Sequence, residues 1–253
     1  MTEQNSIAQN YQAPDDLLKD KVILVTGAGD GIGKTVAKSY ATHGATVILL
    51  GRTQVKLEAV YDEIVAAGGP QPGIAVLDFR TAQPEEYENL AEQIENEYGR
   101  LDGLLHNASK LGQKMSLDQY PIGTFMEVMH INVNAAFVLT RILMPLLRKS
   151  SSASVVFTSS SVGRKGRAFW GAYAVSKFAT EGLMETLADE QGENSKLRTN
   201  SINPGATRTN MRAAAYPGED PDTLKTPEDI LAPYLYLMGD DSSAVNGESL
   251  NCQ

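Results

Sequence analysis

The fold of this chain is decided by the stretch VILVTGAGDGIG, residues 22–33. The apolar run Val22–Thr26 has no polar face and predicts a buried strand, and the amphipathic segment Lys34–His43 after the glycines predicts a helix. Glycines permit positive φ and close backbone approach, and a helix N-terminus presents free N–H groups to a phosphate. The stretch therefore predicts the phosphate site of a nucleotide or, as the simpler alternative, a tight strand-to-helix turn.

The same alternation of apolar runs and amphipathic segments continues along the chain. Strands are predicted at 22–26, 46–50, 73–77, 103–106, 154–158 and 198–202, and helices at 34–43, 54–67, 84–98, 123–149 and 173–191. Strands without a polar face, separated by helices, are typical of a parallel sheet covered on both sides, the α/β doubly wound arrangement or Rossmann fold. We predict a single such domain at 19–253, a flexible N-terminal arm at 1–18, and an irregular substrate loop near 210–226.

Composition excludes several classes of function. The 253 residues carry 22 Lys and Arg against 31 Asp and Glu, and this net charge of −9 disfavours binding to nucleic acid or an anionic membrane. Cys252 is the only cysteine, which excludes an intrachain disulfide and a Cys-ligated metal cluster. No apolar run approaches the ~18 residues of a membrane span. We therefore expect a soluble, cytoplasmic protein with no nucleic-acid or membrane partner.

The glycine spacing is T-G-x-x-x-G-x-G, with Gly27, Gly31 and Gly33, rather than G-x-G-x-x-G. This spacing resembles the fingerprint of the short-chain dehydrogenase/reductase family. Further motifs of that family follow in the same order: HNAS at 106–109, INV at 131–133, TSSS at 158–161, YAVSK at 173–177 and NPG at 203–205. The resemblance covers about residues 20–250. It implies hydride transfer between a nicotinamide cofactor and a small-molecule carbonyl or secondary alcohol.

Tyr173 and Lys177 are four residues apart on a predicted helix, so their side chains project from one face. An adjacent ammonium and an oxidised nicotinamide both favour phenolate, and we expect them to lower the tyrosine pKa from about 10. Without further context, such a pair is as often a helix-surface pair. Ser160, thirteen residues before Tyr173, has the spacing of the family.

The resemblance implies that the catalytic residues are Asn132, Ser160, Tyr173 and Lys177. By the same resemblance, Tyr173 is the general acid and base, and Ser160 holds the reacting oxygen. Lys177 would bind the nicotinamide ribose, and Asn132 would hold a water that relays protons. No metal is expected, because His43, His106 and His130 form no ligand spacing.

The end of the second strand bears on the choice of cofactor. Gly51 stands where NAD-dependent members of the family carry Asp, and Arg52 follows it. A guanidinium without a neighbouring carboxylate suits a 2'-phosphate, so NADP(H) is preferred, with NAD(H) as the alternative. Asp30 opposes this choice, since its charge would lie near the same phosphate.

The resemblance also assigns the cofactor contacts along the chain. They are Gly27, Gly29, Asp30, Gly31, Ile32, Gly33, Arg52, Thr53, Asp78, Phe79, Asn107, Ala108, Ser109, Tyr173, Lys177, Pro204, Gly205, Thr207 and Thr209. Ser109 departs from the family's glycine and places a side chain near the floor of the cofactor site. We therefore predict an NADP(H)-dependent oxidoreductase. The alternatives on a similar fold are a non-catalytic cofactor-binding sensor or scaffold and a nucleotide-binding methyltransferase.

The segment RKGRAFW, residues 164–170, lies between Ser160 and Tyr173 and is open to two interpretations. In the first interpretation, its cations attract a carboxylate or phosphate of the substrate, and Phe169 and Trp170 cover the apolar part of that substrate. Alternatively, it is a solvated basic turn that pairs with acidic residues of 219–222 as a lid latch. Met211 and Tyr216 are the expected apolar contacts of that lid.

The helices at 123–149 and 173–191 predict assembly of several copies. They carry aliphatic or aromatic side chains on more than one face, namely Val138, Ile142, Leu146, Phe178, Leu183 and Leu187. Members of the family usually pair these helices across a two-fold axis, so a homodimer or homotetramer is expected.

Overall fold

The computed structural model describes residues 3–192 and 195–253, which form a doubly wound α/β fold around a seven-stranded sheet. All paired strands are parallel, in the order β3-β2-β1-β4-β5-β6-β7. The strands are β1 (Val22–Thr26), β2 (Thr46–Gly51), β3 (Gly73–Val76), β4 (Gly103–His106), β5 (Ala153–Thr158), β6 (Leu197–Asn203) and β7 (Ser249–Asn251). The predicted fold class and single domain are confirmed.

Helices cover both faces of this sheet. They are α1 (Glu3–Gln9), α2 (Gly31–Thr42), α3 (Gln54–Ala66), α4 (Pro84–Tyr98), α5 (Ile122–Met129), α6 (Ala135–Leu147), α7 (Gly171–Gln191), α8 (Asn210–Ala215) and α9 (Leu231–Met238). The helix predicted at 123–149 is divided by a π-helical turn, His130–Asn134. The sequence did not predict β7, α1, α8 or α9, and α8 makes the supposedly irregular segment 210–226 partly helical.

Strand β1 explains why the apolar runs have no polar face. Ile23 and Val25 belong to one buried cluster, with residues of α2, α3 and α9. Val22 and Leu24 belong to a second cluster, with residues of α4, α6 and α7. Because successive side chains point to opposite faces, a strand covered on both sides must be apolar at every position.

The N-terminal segment corrects one expectation. Ala8 and Leu18 are fully buried, and α1 packs against the end of the sheet. Asn5 Oδ1 accepts a hydrogen bond from the Asn251 backbone N–H at 2.7 Å, and Gln9 Nε2 donates one to the Asn251 carbonyl at 2.9 Å. Residues 3–18 are therefore packed rather than a flexible arm, while Met1 and Thr2 lie outside the described residues. A seven-residue helix is too short to leave a clear period in the sequence.

One helical stretch in the described residues meets the length and composition of a membrane span. It is Ile122–Leu147, with 26 residues and a mean hydropathy of 1.3. Nearly half of its apolar window, 44%, is buried inside the protein. Leu139 and Leu143 are fully buried in the core beneath the sheet, so the stretch serves as a core helix of this fold.

Candidate active site

The loop after β1 brings two backbone segments into contact. Gly27 has a φ of +68°, and a Cβ there would lie 3.0 Å from Ala108 Cα. Gly33 is tighter, because a Cβ would lie 2.3 Å from the Gly27 carbonyl oxygen. Asp30 caps α2 by accepting a hydrogen bond from the Gly31 N–H at 2.8 Å. The glycines therefore fix the position of the α2 N-terminus at the carboxyl edge of the sheet.

Two adjoining cavities open at this edge. We call the first the tyrosine cavity, after Tyr173; it measures about 440 Å³. The second, between the ends of β2 and β3, is called the β2–β3 cavity and measures about 390 Å³. Both are lined by Gly27, Asp30, Arg52, Ala108 and Ser109, so the two form one continuous cleft. An open α/β sheet binds its ligands at such an edge.

The cleft brings together most of the residues singled out in the sequence. The tyrosine cavity is lined by Gly27, Asp30, Gly31, Ile32, Arg52, Asn107, Ala108, Ser109, Ser160, Tyr173, Lys177, Pro204, Gly205, Thr207 and Thr209. The β2–β3 cavity adds Gly29, Thr53, Asp78 and Phe79. Gly33 and Asn132 line neither cavity; Gly33 instead packs under the loop, against Gly27 and Asn107.

Ser160, Tyr173 and Lys177 meet inside the tyrosine cavity. Ser160 follows β5 and hydrogen-bonds to the Tyr173 phenol. Lys177 lies one turn after Tyr173 on α7, with Nζ 5.5 Å from the tyrosine ring centroid. The ammonium donates a hydrogen bond to the Thr158 carbonyl at 2.6 Å. The predicted shared face of Tyr173 and Lys177 is therefore observed.

Burial governs the pKa of Tyr173 in this structure. Burial raises the pKa of Tyr173 to about 12, and the hydrogen bond from Ser160 lowers it only in part. The same burial lowers the pKa of Lys177 from 10.5 to about 8. The Lys177 ammonium bonds to a backbone carbonyl rather than to the phenol, so desolvation outweighs its charge.

Asn132 lies beneath the cleft in the π-helical turn. Its Oδ1 accepts a hydrogen bond from the Lys110 N–H at 2.7 Å. Its Nδ2 donates to the Lys110 carbonyl at 3.0 Å and to Ser176 Oγ at 2.9 Å. The side chain thus fixes the segment after Ala108 to α7 and uses its donors and acceptor within the protein.

The β2–β3 cavity contains a cation that sequence reasoning missed. Lys56, in the first turn of α3, lines this cavity together with Arg52. Lys56 Nζ donates to Asp30 Oδ2 at 2.6 Å, and Asn210 Nδ2 donates to the same oxygen at 3.2 Å. The Asp30 charge is therefore paired with a lysine, and its pKa is lowered chiefly by that hydrogen bond. The only sequence signal was a basic residue four positions after Arg52.

Ser109 provides a test of whether the cleft fits a dinucleotide. Its hydroxyl is buried and has no hydrogen-bond partner among the described residues, although it lines both cavities. Buried polar atoms are nearly always satisfied, so this hydroxyl is suited to a polar ligand atom. The cleft therefore fits a dinucleotide, with this hydroxyl on its floor.

The arginines of the basic segment, residues 164–170, do not face the cleft as expected. Arg164 Nε donates to Glu181 Oε1 at 3.2 Å, and its other nitrogens donate to Asn251 Oδ1 at 2.8 Å and the Leu250 carbonyl at 3.1 Å. Arg164 therefore ties α7 to β7 and does not line the tyrosine cavity. Arg167 is exposed and does not line it either. The interpretation of this segment as an anion site of the cleft is wrong.

Residues 210–226 form the outer wall of the tyrosine cavity. Met211, Arg212 and Ala215 of α8 line it, opposite Leu111 and Trp170. Arg212 forms two hydrogen bonds to Glu219, at 2.6 and 2.5 Å. The latch expected between the basic segment and 219–222 is thus replaced by a pair within this wall. Arg208 similarly contacts Asp222 at 3.4 Å.

Two of the three histidines, His106 and His43, make contacts within the protein. His106 stacks on Phe157 at 4.6 Å, bonds to Thr140 Oγ1 at 2.8 Å, and has a pKa lowered to about 3 by burial. His43 Nδ1 lies 2.7 Å from the Ser39 carbonyl oxygen. Across residues 3–192 and 195–253, no group of three or more His, Cys, Asp and Glu side chains is placed to hold a metal.

A glycine-rich strand-to-helix loop beside a cleft at the carboxyl edge of a doubly wound sheet is typical of proteins that bind a dinucleotide. A family model described as short chain dehydrogenase matches residues 21–220, and the chain belongs to that family. The oxidoreductase YciK of Escherichia coli K12 is 54% identical over 244 residues, which are 96% of each chain.

Two solved structures are about as similar to this chain as YciK is. One, from Shigella flexneri 2a and complexed with NADP, is 55% identical with a TM-score of 0.93 and covers 95% of this chain and 100% of that chain. The other, from Escherichia coli CFT073 and complexed with NADPH, is 54% identical with a TM-score of 0.92 and covers 95% and 99%.

The buried Lys177 predicts a pH-dependent stability. Folding lowers its pKa to about 8, so between pH 8 and 10.5 the unfolded chain binds more protons and the contribution of Lys177 to stability rises with pH. Lys177→Met removes this dependence. We expect the free energy of unfolding of this variant to exceed that of the unmodified protein by the largest amount below pH 8. The difference should become smaller towards pH 10.5. Urea denaturation across this range measures the difference, and Lys165→Met, at an exposed position, is the control. A difference independent of pH would contradict the prediction.

Proposed function

We propose that this protein is an NADP(H)-dependent oxidoreductase that interconverts a carbonyl and a secondary alcohol. The observation that carries the proposal is the meeting of Ser160, Tyr173 and Lys177 in one cavity at the carboxyl edge of the sheet. The raised pKa of Tyr173 keeps its phenol protonated, as a general acid requires for reduction. Ser160, bonded to that phenol, holds the reacting oxygen next to it.

The cofactor is held along the whole cleft. The α2 N-terminus, at Gly31 and Ile32, would hold its pyrophosphate, because free N–H groups and the helix dipole favour an anion there. Arg52 and Phe79 of the β2–β3 cavity would hold its adenosine, and Ser109 would offer a hydroxyl on the floor. The cofactor would supply or accept the hydride. The NADP and NADPH complexes of the two similar structures support the choice of NADP(H).

Replacing Tyr173 with Phe tests the reaction. The variant loses only the hydroxyl, so we expect kcat to fall at least about 100-fold, within the range of positioned proton transfer, while the Kd of NADPH stays within about twofold. NADPH oxidation with a panel of ketones and NADPH fluorescence measure the two quantities. Tyr61→Phe, on α3 and away from the cleft, is the matched control. Retention of more than about a tenth of kcat would refute the assignment.

Arg52 and Lys56 set the preference for the phosphorylated cofactor. Each offers charge-assisted hydrogen bonds to a 2'-phosphate, so Arg52→Ala and Lys56→Ala should each raise the Kd of NADPH about tenfold or more. The Kd of NADH, which lacks this phosphate, should change little. Titration of cofactor fluorescence measures both constants. Lys34→Ala is the control, because Lys34 pairs with Glu63 and lines neither cavity. Equal loss of NADH and NADPH affinity would argue against a phosphate role.

We further propose that the protein is a homodimer or homotetramer built on the outer faces of α6 and α7. Most of the aliphatic residues named in the sequence pack inward, and Leu146 and Leu187 are buried. The exposed apolar residues are instead Phe137 at 50%, Val175 at 39% and Phe178 at 45%. Such a patch on two neighbouring helices is typical of an interface between copies.

Charge at this patch tests the assembly. Light scattering at micromolar concentration should give a multiple of the 27.3 kDa chain mass. Phe137→Glu combined with Phe178→Glu should reduce it to a single chain, whereas Val55→Glu, on the exposed side of α3, should not. A single-chain mass for the unmodified protein would refute the proposed interface.

The acidic charge of −9 and the burial of Cys252 support a cytoplasmic location without a nucleic-acid partner. The packing of Ile122–Leu147 within the fold supports the absence of a membrane partner.

A further inference from the structure

The substrate end of the tyrosine cavity has apolar walls. Leu111, Trp170, Met211 and Ala215 line it next to Tyr173. These residues also form one hydrophobic cluster, in which Trp170 lies 5.7 Å from the Tyr173 ring and 5.9 Å from the Tyr216 ring. A ligand whose carbonyl meets Ser160 and Tyr173 therefore contacts hydrocarbon and aromatic carbon with the rest of its body.

Charged groups that line this cavity already have partners or lie at its other end. Within the described residues they are Asp30, Arg52, Lys177 and Arg212. Asp30 and Arg52 belong to the end shared with the β2–β3 cavity. Lys177 donates to the Thr158 carbonyl, and Arg212 is held by both oxygens of Glu219.

Cations of the outer wall and of the loop after β4 are held by aromatic rings. Lys114 Nζ lies 3.9 Å from the Tyr216 ring centroid and 4.9 Å from that of Trp170, and donates to the Ala215 carbonyl at 3.0 Å. Arg212 lies 4.0 Å from the Tyr216 ring. These contacts join the outer wall to the loop after β4. Lys114 and Arg212 are therefore engaged within the protein rather than with a ligand.

We infer that the substrate is a neutral carbonyl compound with a hydrocarbon body around the reacting carbon, rather than an oxo acid or a phosphorylated sugar. A carboxylate in this end of the cavity would lose its water without gaining a free cation, which is strongly unfavourable. This inference rests on the proposed function, because it takes Ser160 and Tyr173 as the groups that meet the carbonyl.

Binding without turnover tests the inference separately from the reaction. The protein saturated with NADP⁺ cannot reduce a ketone, so the Kd of the ternary complex is measurable by calorimetry. The ligands are cyclohexanone, 4-oxocyclohexanecarboxylate and its methyl ester, which matches the acid in size but carries no charge. We expect the acid to bind at least about 30-fold more weakly than the ester at pH 7.

A charge placed in the wall should reverse this preference. Met211 is partly exposed, so Met211→Lys introduces an ammonium at the cavity without a buried steric clash. It should tighten binding of the acid at least about tenfold and weaken binding of cyclohexanone, because an apolar wall residue is lost. Ala213→Lys puts the same charge on the exposed side of α8, outside the cavity, and should change neither.

The results distinguish failure of the neutral-substrate inference from failure of the proposed reaction. Equal or tighter binding of the acid relative to the ester by the unmodified protein would overturn the neutral substrate, as would the absence of binding by all three ligands. Ternary binding of the neutral ketones without any reduction by NADPH would support the cavity's preference and count against the proposed reaction.

Discussion

The contact between the glycine loop and the end of β4 is the constraint on which the cleft depends. Two backbone segments lie so close that a methyl group at position 27 or 33 would strike Ala108 or the Gly27 carbonyl. This contact sets the N-terminus of α2 and the floor residues Ala108 and Ser109 side by side. Asn132 then holds the following residue, Lys110, to the π-helical turn and to α7. The glycine loop and the Tyr173 end of the cleft are thereby connected by one chain of short contacts.

Burial rather than proximity of charge governs the titrating groups of the site. Tyr173 and Lys177 are both enclosed, so each favours its neutral form, as their opposite pKa shifts indicate. Glu181, one turn further along α7, raises the pKa of Lys177 against this trend. Its carboxylate accepts hydrogen bonds from Ser201 and Ser249 and is paired with Arg164. Arg164, which was expected to attract substrate, therefore pairs instead with the carboxylate that acts on Lys177.

Local and periodic signals predicted most of the fold and nearly all of the cleft. The run Val22–Gly33, the spacing from Ser160 to Lys177 and the strand ends depend on neighbours in sequence, and the structure brings these segments together at one cleft. Features that depend on distant partners were missed or misread. Arg164 finds its partners in Glu181 and Asn251, and Lys56 finds Asp30, none of which leaves a local pattern. The burial of Tyr173, which raises its pKa in this structure, likewise leaves no local pattern.

Helix α1 covers the outer strand of the sheet, β7. β7 pairs with β6 on one side only, which leaves the backbone groups of its other side without a strand partner. Asn5 and Gln9 occupy the N–H and carbonyl of Asn251 there, as an added strand would. An open edge is a template for pairing with a second chain and for aggregation. The short helix α1 therefore shields this edge of the sheet from pairing with a strand of a second molecule.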